Sequence, residues 1–372
     1  MVITRLETLH LRPRWLVVRV HTDAGLFGLG EATLEGRCLT VEAALHEMER
    51  WLVGQDPRRI EHIWQHLFRG GFYRGGPVLS SALSGIDQAL WDILGKHLGV
   101  PVYQLLGGAV RDRLRLYGWM NVTATGDYVE SAARLAAEHK FTAFKCTLTE
   151  AMRPLESRAA LHTAAEKFAE IRQRLGDAVD IGVDLHGRCS PAVSRQLAKL
   201  LEPYHPFFLE EPVLGDDPAA LRDLAAATSV PLATGERLYT RWQFQELIAQ
   251  RAVAIVQPDV AHAGGISELR RIAAAAEARG IAFAPHCPLG PVALAACLQV
   301  AAATPNFLCQ EHVTLGETLL TRPFAVREGD AELPTGPGLG IELDEAKVAA
   351  ARFDGRWDNP RFTHADGSLA EW

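Results

Sequence analysis

From Leu114 onward, short apolar β-like runs alternate with segments of helical period, and this alternation constrains the fold more than any other feature. The runs are 114–121, 142–147, 179–185, 206–210, 230–235, 252–258, 281–285 and 307–310. Helical periodicity fills much of the space between them, at 126–140, 159–175, 192–201, 265–279 and 291–303. Strands alternating with helices give βαβ units and a parallel sheet. Eight units in roughly 200 residues are what a closed α/β barrel of the (β/α)8 type requires. An open doubly wound sheet would carry a glycine-rich nucleotide loop after its first strand. Here the chain continues Asn121-Val-Thr-Ala-Thr125, without those glycines.

The preceding residues have a different texture. Residues 15–21 are rich in β-branched side chains, Thr22-Asp23-Ala24-Gly25 supplies turn chemistry, and 26–32 runs back, so the pair reads as a hairpin. The glycines of Gly25-Leu-Phe-Gly-Leu-Gly30 lack G-x-G-x-x-G spacing and precede Glu31 rather than a helix, so they read as hairpin glycines. Helical patterns at 40–53 and 79–98 follow; the second has Leu83, Ile86, Leu90, Ile93 and Leu94 on one stripe. The expected organisation is an α+β capping domain at 1–113, a modified barrel at 114–320, and a tail at 321–372 packing back on the cap.

Polar residues recur where the strands end. They are Asp184, Glu210, Glu236, Asp259, His286 and Glu311, spaced 23 to 27 residues apart, or one βα unit each. Barrel strands converge at their C-termini on one mouth, where active sites are built. Acids scattered on helix surfaces would not follow apolar runs at this interval. Three carboxylates without cysteine suit a hard divalent cation, so Asp184, Glu210 and Glu236 are the expected Mg²⁺ ligands. Zinc with His186 or His286 is the competing assignment, weakened by the priority of oxygen donors. Asp259 beside His286 would fix the imidazole tautomer and raise its basicity. His186, two residues beyond Asp184, points to the same face of its strand.

Composition narrows the partners. A net charge of −7 and the lack of a basic stripe argue against nucleic acid and against an anionic membrane. Six scattered cysteines without C-x-x-C spacing read as reduced thiols in a cytoplasmic protein. The residues from Met1 show no apolar signal core. A small molecule is the expected partner.

Several stretches carry a resemblance. Tyr73-Arg-Gly-Gly-Pro77, Gly85-Ile-Asp-Gln-Ala-Leu-Trp-Asp92, Asp184-Leu-His-Gly-Arg188, Phe208-Leu-Glu-Glu-Pro212 and Gln257-Pro-Asp259 are among them. His262-Ala-Gly-Gly265, Ala284-Pro-His-Cys-Pro-Leu-Gly-Pro291 and Ala370-Glu-Trp372 complete the set. Together they resemble the enolase superfamily in its mandelate racemase-like branch, over essentially the whole length. The resemblance implies a cap over a modified barrel and Mg²⁺ at Asp184, Glu210 and Glu236. It also implies Asp259–His286 as a dyad, His186 as a second acid/base, and Glu311, protonated, as a hydrogen-bond partner of the substrate carboxylate. The implied reaction is dehydration of a sugar acid such as D-galactonate to a 2-keto-3-deoxy acid, in a homo-oligomer. Thr147 stands where this resemblance leads one to expect asparagine, and the loop 312–317 and the segment 321–337 also depart from it. Lys145 reads equally as a substrate contact or a solvated strand-end lysine. Arg14, Arg74 and Asp23 are candidate cap contacts to distal hydroxyls. Racemisation, epimerisation or cycloisomerisation on the same scaffold, a non-catalytic binding barrel and a zinc hydrolase are the rival readings.

Overall fold

β-Branched and aromatic residues in alternation make Trp15–Thr22 (β2) the middle of a three-stranded antiparallel sheet, between Ile3–Leu11 (β1) and Phe27–Glu31 (β3). The computed structural model describes residues 1–121, 126–313 and 317–372. The stretch 122–125, where a nucleotide loop was sought, and most of the divergent loop after His312 lie outside the described residues. Helices Cys38–Leu52 (α1), Ile60–Arg69 (α2) and Gly76–Leu98 (α3) complete the cap, followed by the short Val102–Leu105 (α4). The glycines near β3 are explained by packing. A Cβ on Gly28 or Gly30 would come within 1.9 Å of the Ala89 or Gly85 carbonyl oxygen of α3, so only glycine lets this strand lie against that helix.

The second sheet is the barrel. Its parallel strands are Arg113–Trp119 (β4), Ala143–Thr147 (β5), Asp180–Asp184 (β6), Leu209–Glu210 (β7), Leu232–Thr234 (β8), Ile255–Val256 (β9), Ala282–Phe283 (β10) and Gln310–His312 (β11). Each of β4 to β9 pairs with the next in sequence order, and β11 returns to pair with β4. A parallel bridge from Phe283 to Phe307 closes the ring. The expected runs at 206–210 and 252–258 shorten to two residues of regular ladder each, although Phe207, Glu211, Ala254 and Gln257 still donate backbone hydrogen bonds to neighbouring strands. Helices follow each of the first seven barrel strands: Tyr128–His139 (α5), Arg158–Leu175 (α6), Pro191–Leu201 (α7), Pro218–Ala225 (α8), Thr240–Ala249 (α9), Gly265–Glu277 (α10) and Pro291–Ala302 (α11).

Inside the ring, Tyr117, Ala143, Phe208, Ala233, Ile255, Ala284 and Cys309 form an apolar plug. Gly182 leaves room for it, since a Cβ there would meet the Phe208 ring at 2.4 Å. Alternation along β5 turns Lys145 inward two residues above Ala143, so a charged layer begins where the apolar one stops. The tail follows three courses. Val326–Arg327 (β12) and Asp330–Glu332 (β13) form a hairpin that extends the barrel sheet along β4. The segment around Glu345–Ala351 (α12) returns to the cap, with Arg352 bridged to Leu11. The last turn of chain crosses to the mouth, where Trp372 meets His186. No helix among the described residues is long and apolar enough to cross a membrane.

Candidate active site

The strand-end acids meet. One carboxylate oxygen from each of Asp184, Glu210 and Glu236 lies within 4.8 Å of the other two. Asp184 and Glu210 are buried, while the side chain of Glu236 keeps a little exposure toward the mouth. An imidazole borders the cluster at each end: His186 Nε2 is 3.2 Å from Asp184 Oδ2, and His286 Nε2 is 3.1 Å from Glu236 Oε2. On the far side of its ring, His286 Nδ1 lies 2.8 Å from Asp259 Oδ2. Asp259 is oriented in turn by the Ala261 N–H, which donates to Oδ1 at 2.7 Å.

Lys145 is neither solvated nor at the surface. Its ammonium lies beneath the cluster, 2.6 Å from Glu210 Oε1, 2.8 Å from Glu311 Oε1 and 3.5 Å from Asp184 Oδ2. Glu311 Oε2 accepts from the Cys287 N–H at 2.8 Å, which ties the eighth strand to the His286 loop. The expectation that Glu311 is protonated does not fit this environment. Burial raises its carboxyl, but Lys145 and His286 outweigh that and hold it below its usual value.

The cluster is short of positive charge. Burial pushes Asp184 and Glu210 upward, Lys145 offsets only part of that, and the neighbouring carboxylates add to it. Burial also raises Glu236, but the net shift is downward. Burial lowers His186 to about 3, so it is uncharged, and the cations holding Glu236 down are the His286 imidazolium first, then Lys145 and Arg237. His286 is in turn raised well above its ordinary value against the effect of burial, by Glu236, Glu311 and Asp259. Asp184 Oδ2 is buried and, although His186 Nε2 lies 3.2 Å and Lys145 Nζ 3.5 Å away, accepts no well-directed hydrogen bond among the described residues. An all-oxygen trio with an orphaned oxygen and unbalanced negative charge has the makings of a metal site.

Several supporting residues were quoted in sequence motifs without being given roles. Gln257 Nε2 donates to Glu210 Oε2 at 2.8 Å, and buried Glu211 accepts from the Thr234 hydroxyl and from the Gly235 N–H at 3.0 Å. Their signal was adjacency to the acids in Gln-Pro-Asp and Glu-Glu-Pro. Arg237 donates to the His186 carbonyl at 2.7 Å. The cap contributes through α3: Asp87 accepts from the Ser267 N–H and hydroxyl, and Gln88 donates to the Val260 and Glu31 carbonyls. Glu31 accepts from the Gly290 and Ala293 N–H groups at the start of α11, at 2.8 and 3.0 Å. These buried polar residues fix the loops that carry Asp259 and His286.

Of the three cap candidates, Arg14 approaches the mouth, donating to the Pro288 carbonyl at 3.3 Å while paired with Glu35 at 2.6 Å. Arg74 is exposed at the rim, over the Phe68 ring, in a groove it shares with Tyr239 and Trp242. Asp23 is a correction. It occupies the β2–β3 turn, where Oδ1 accepts from Val2 N at 2.8 Å, at the opposite end of β2 from Arg14. Eight strand residues put it roughly 26 Å from that end. The turn composition that drew attention to Asp23 serves the hairpin alone.

Comparison with known proteins agrees with this geometry. Residues 4–107 match the mandelate racemase/muconate lactonizing enzyme N-terminal domain, and 127–347 match the enolase C-terminal domain-like family. The chain belongs to the enolase superfamily. Within the superfamily it is 49% identical, over the full length of both chains, to a D-galactonate dehydratase of Ralstonia nicotianae, and 48% identical to one of Variovorax paradoxus, again over both full lengths. Among solved structures, an enolase-type protein of Agrobacterium radiobacter with sodium and L-malate bound superposes with a TM-score of 0.92 at 33% identity, covering all of both chains. A mandelate racemase/muconate lactonizing enzyme-like protein of Rubrobacter xylanophilus gives 0.89 at 35% identity, covering 96% of this chain and 98% of that one. The superfamily's barrel and cap are thus the fold of this chain.

Proposed function

We propose that the chain is a Mg²⁺-dependent sugar-acid dehydratase, a carbon–oxygen lyase that converts D-galactonate to its 2-keto-3-deoxy acid. The observation carrying this reading is a carboxylate trio bordered at both ends by imidazoles, one of them backed by Asp259. Full-length similarity to D-galactonate dehydratases supports the substrate. Residues 1–113 act as cap, 114–320 carry the site, and 321–372 close over both. Six free, buried cysteines support a cytosolic setting.

Asp184, Glu210 and Glu236 hold the ion in this reading. What Mg²⁺ supplies when bound is positive charge, which offsets Glu236 so that His286 can give up its proton, and which stabilises the enediolate. His286, its tautomer fixed by Asp259, takes the C2 proton. Such a base gives roughly 10²–10⁴-fold, or about 3–5 kcal/mol, of the about 8–23 kcal/mol that enzymes supply. Lys145 and Glu311 hold the substrate carboxylate end. A substrate carboxylate approaching Glu311 places two acids side by side, and the proton they then share turns Glu311 into a donor. His186, uncharged in the resting site, must first take up a proton from solvent; as imidazolium it delivers that proton to the 3-hydroxyl, which leaves as water, and the resulting enol tautomerises to the 2-keto acid.

The test is product formation from D-galactonate, with gluconate, fuconate and uronic diacids as comparison substrates. A 2-keto-3-deoxy acid should form from D-galactonate, be lost on chelation, and return with Mg²⁺ but not with Zn²⁺. Turnover to an epimer, or no turnover of any sugar acid, would overturn the reading.

A further inference from the structure

His186 is held in an unusual backbone conformation. Its φ is 52°, in the left-handed region, which a residue with a Cβ adopts only where its surroundings impose the geometry. They do so here through the backbone. The His186 N–H donates to Asp184 Oδ1 at 2.8 Å, its carbonyl accepts from Arg237 Nη2 at 2.7 Å, and Gly187 N–H donates to the Glu211 carbonyl at 2.8 Å. These contacts fix the Cα–Cβ direction and leave the ring to be set by its neighbours.

Those neighbours are polar at the two ring nitrogens, with Asp184 Oδ2 3.2 Å from Nε2 and Thr147 Oγ1 3.5 Å from Nδ1, and aromatic around the ring. Trp119, at the end of β4, lies with its ring centroid 6.1 Å from that of His186 and tilted by 42°. The Trp372 ring meets His186 edge-on, at 5.7 Å and 87°. The tail reaches this place by a hairpin in which Ala370 N–H donates to the Phe362 carbonyl at 3.0 Å and His364 N–H to the Ser368 carbonyl at 2.8 Å. Two arginines dock it. Arg188 lies over both the Phe362 and Trp372 rings, at 4.6 and 5.7 Å. The Arg237 nitrogen that holds the His186 carbonyl also donates to the Trp372 carbonyl, at 2.9 Å. One guanidinium thus fixes the tail residue and the imidazole in the same frame.

We infer that Trp372 is a positioning residue for His186, setting the ring angle at which this imidazole meets the leaving hydroxyl. The inference rests on the acid role given to His186 above. An edge-to-face ring contact of this kind is small beside the stability of a whole domain and enough to bias one side-chain rotamer. Leu369, three residues earlier in the same hairpin, is 75% exposed, so the hairpin is peripheral to the core.

The experiment uses the full chain with D-galactonate and Mg²⁺ in D2O, following 2-keto-3-deoxy acid and deuterium at C2 of recovered substrate. In W372A, elimination should fall about tenfold, less than loss of a general acid, which costs roughly 10²–10⁴-fold. C2 exchange should be retained, so the ratio of exchange to elimination rises, while KM changes little. W372F, which keeps a ring at that place, should restore most of the elimination. Equal loss of exchange and elimination would make the role merely structural, and an unchanged rate of elimination in W372A would remove it altogether. No dehydration by the unmodified chain overturns the dehydratase reading, and this inference with it.

Discussion

The two imidazoles at the barrel mouth are held by different physics. His286 stands in a field of charge: Asp259 on one nitrogen, Glu236 and Glu311 near the other, and a cap carboxylate anchoring the helix that follows. His186 has a single carboxylate at hand, Asp184 at 3.2 Å, is uncharged at rest, and is held by a strained backbone, two carbonyl-directed hydrogen bonds and two indole rings. Charge sets how strongly a ring holds a proton, whereas ring contacts set only where it points. A base that must compete for a carbon-bound proton belongs in the first environment. A group that hands a proton to a departing hydroxyl at one angle belongs in the second.

The largest test of this contrast exchanges the rings for an isosteric amide, one at a time. His286→Asn should abolish both C2 deuterium exchange and dehydration, a loss of at least the roughly 10²–10⁴-fold attributed to a general base. His186→Asn should lose dehydration by a similar factor and keep C2 exchange. Loss of exchange in both variants would show that the two rings share one proton transfer, and the division of labour would fall.

A smaller effect is expected from Asp259→Asn. The amide can still orient the ring but can no longer offset its positive charge, and it favours the wrong tautomer when its N–H faces Nδ1. Dehydration and C2 exchange should drop together, by about 10²-fold, less than for the loss of His286 itself. A drop in dehydration alone would place Asp259 on the His186 side.

The sequence showed the frame of this site and hid its fastenings. The six strand-end residues were legible because barrel topology converts an even sequence interval into one shared cavity. Their burial and neighbours were not. Lys145 looked like a strand-end lysine because nothing local says that β5 alternation carries it inward, onto three carboxylates from three other strands. Asp23 failed for the opposite reason, since its local turn chemistry was real and carried no information about distance. Asp87, Gln88 and Glu31 were invisible as fastenings, because their partners in the barrel lie between 172 and 262 residues away. Trp372 was read as a family signature, and only the path of the tail gives it a neighbour.

The smallest effect concerns how the cap grips the His286 side. Burial pushes Glu31 up to about 7, against the pull of the Ala293 and Gly290 N–H groups and the Thr33 hydroxyl. Its ordinary value is 4.5, so between these limits the folded chain keeps a proton that the unfolded chain has released. Stability from this group is therefore greatest at or below pH 4.5 and is lost as pH rises toward 7. Between about pH 5 and pH 7 the loss amounts to about 2 kcal/mol. Glu31→Gln removes the titration and one acceptor for the start of α11. It should lower stability at pH 5 and flatten the decline toward pH 7 relative to wild type, as read by denaturant unfolding at both values. Catalysis should suffer less than in the substitutions above, because the Gly290 contact can persist through the remaining oxygen. Parallel stability profiles for variant and wild type would mean that Glu31 keeps the same charge in the folded and unfolded chain. The cap's hold on the charged imidazole would then be free of pH.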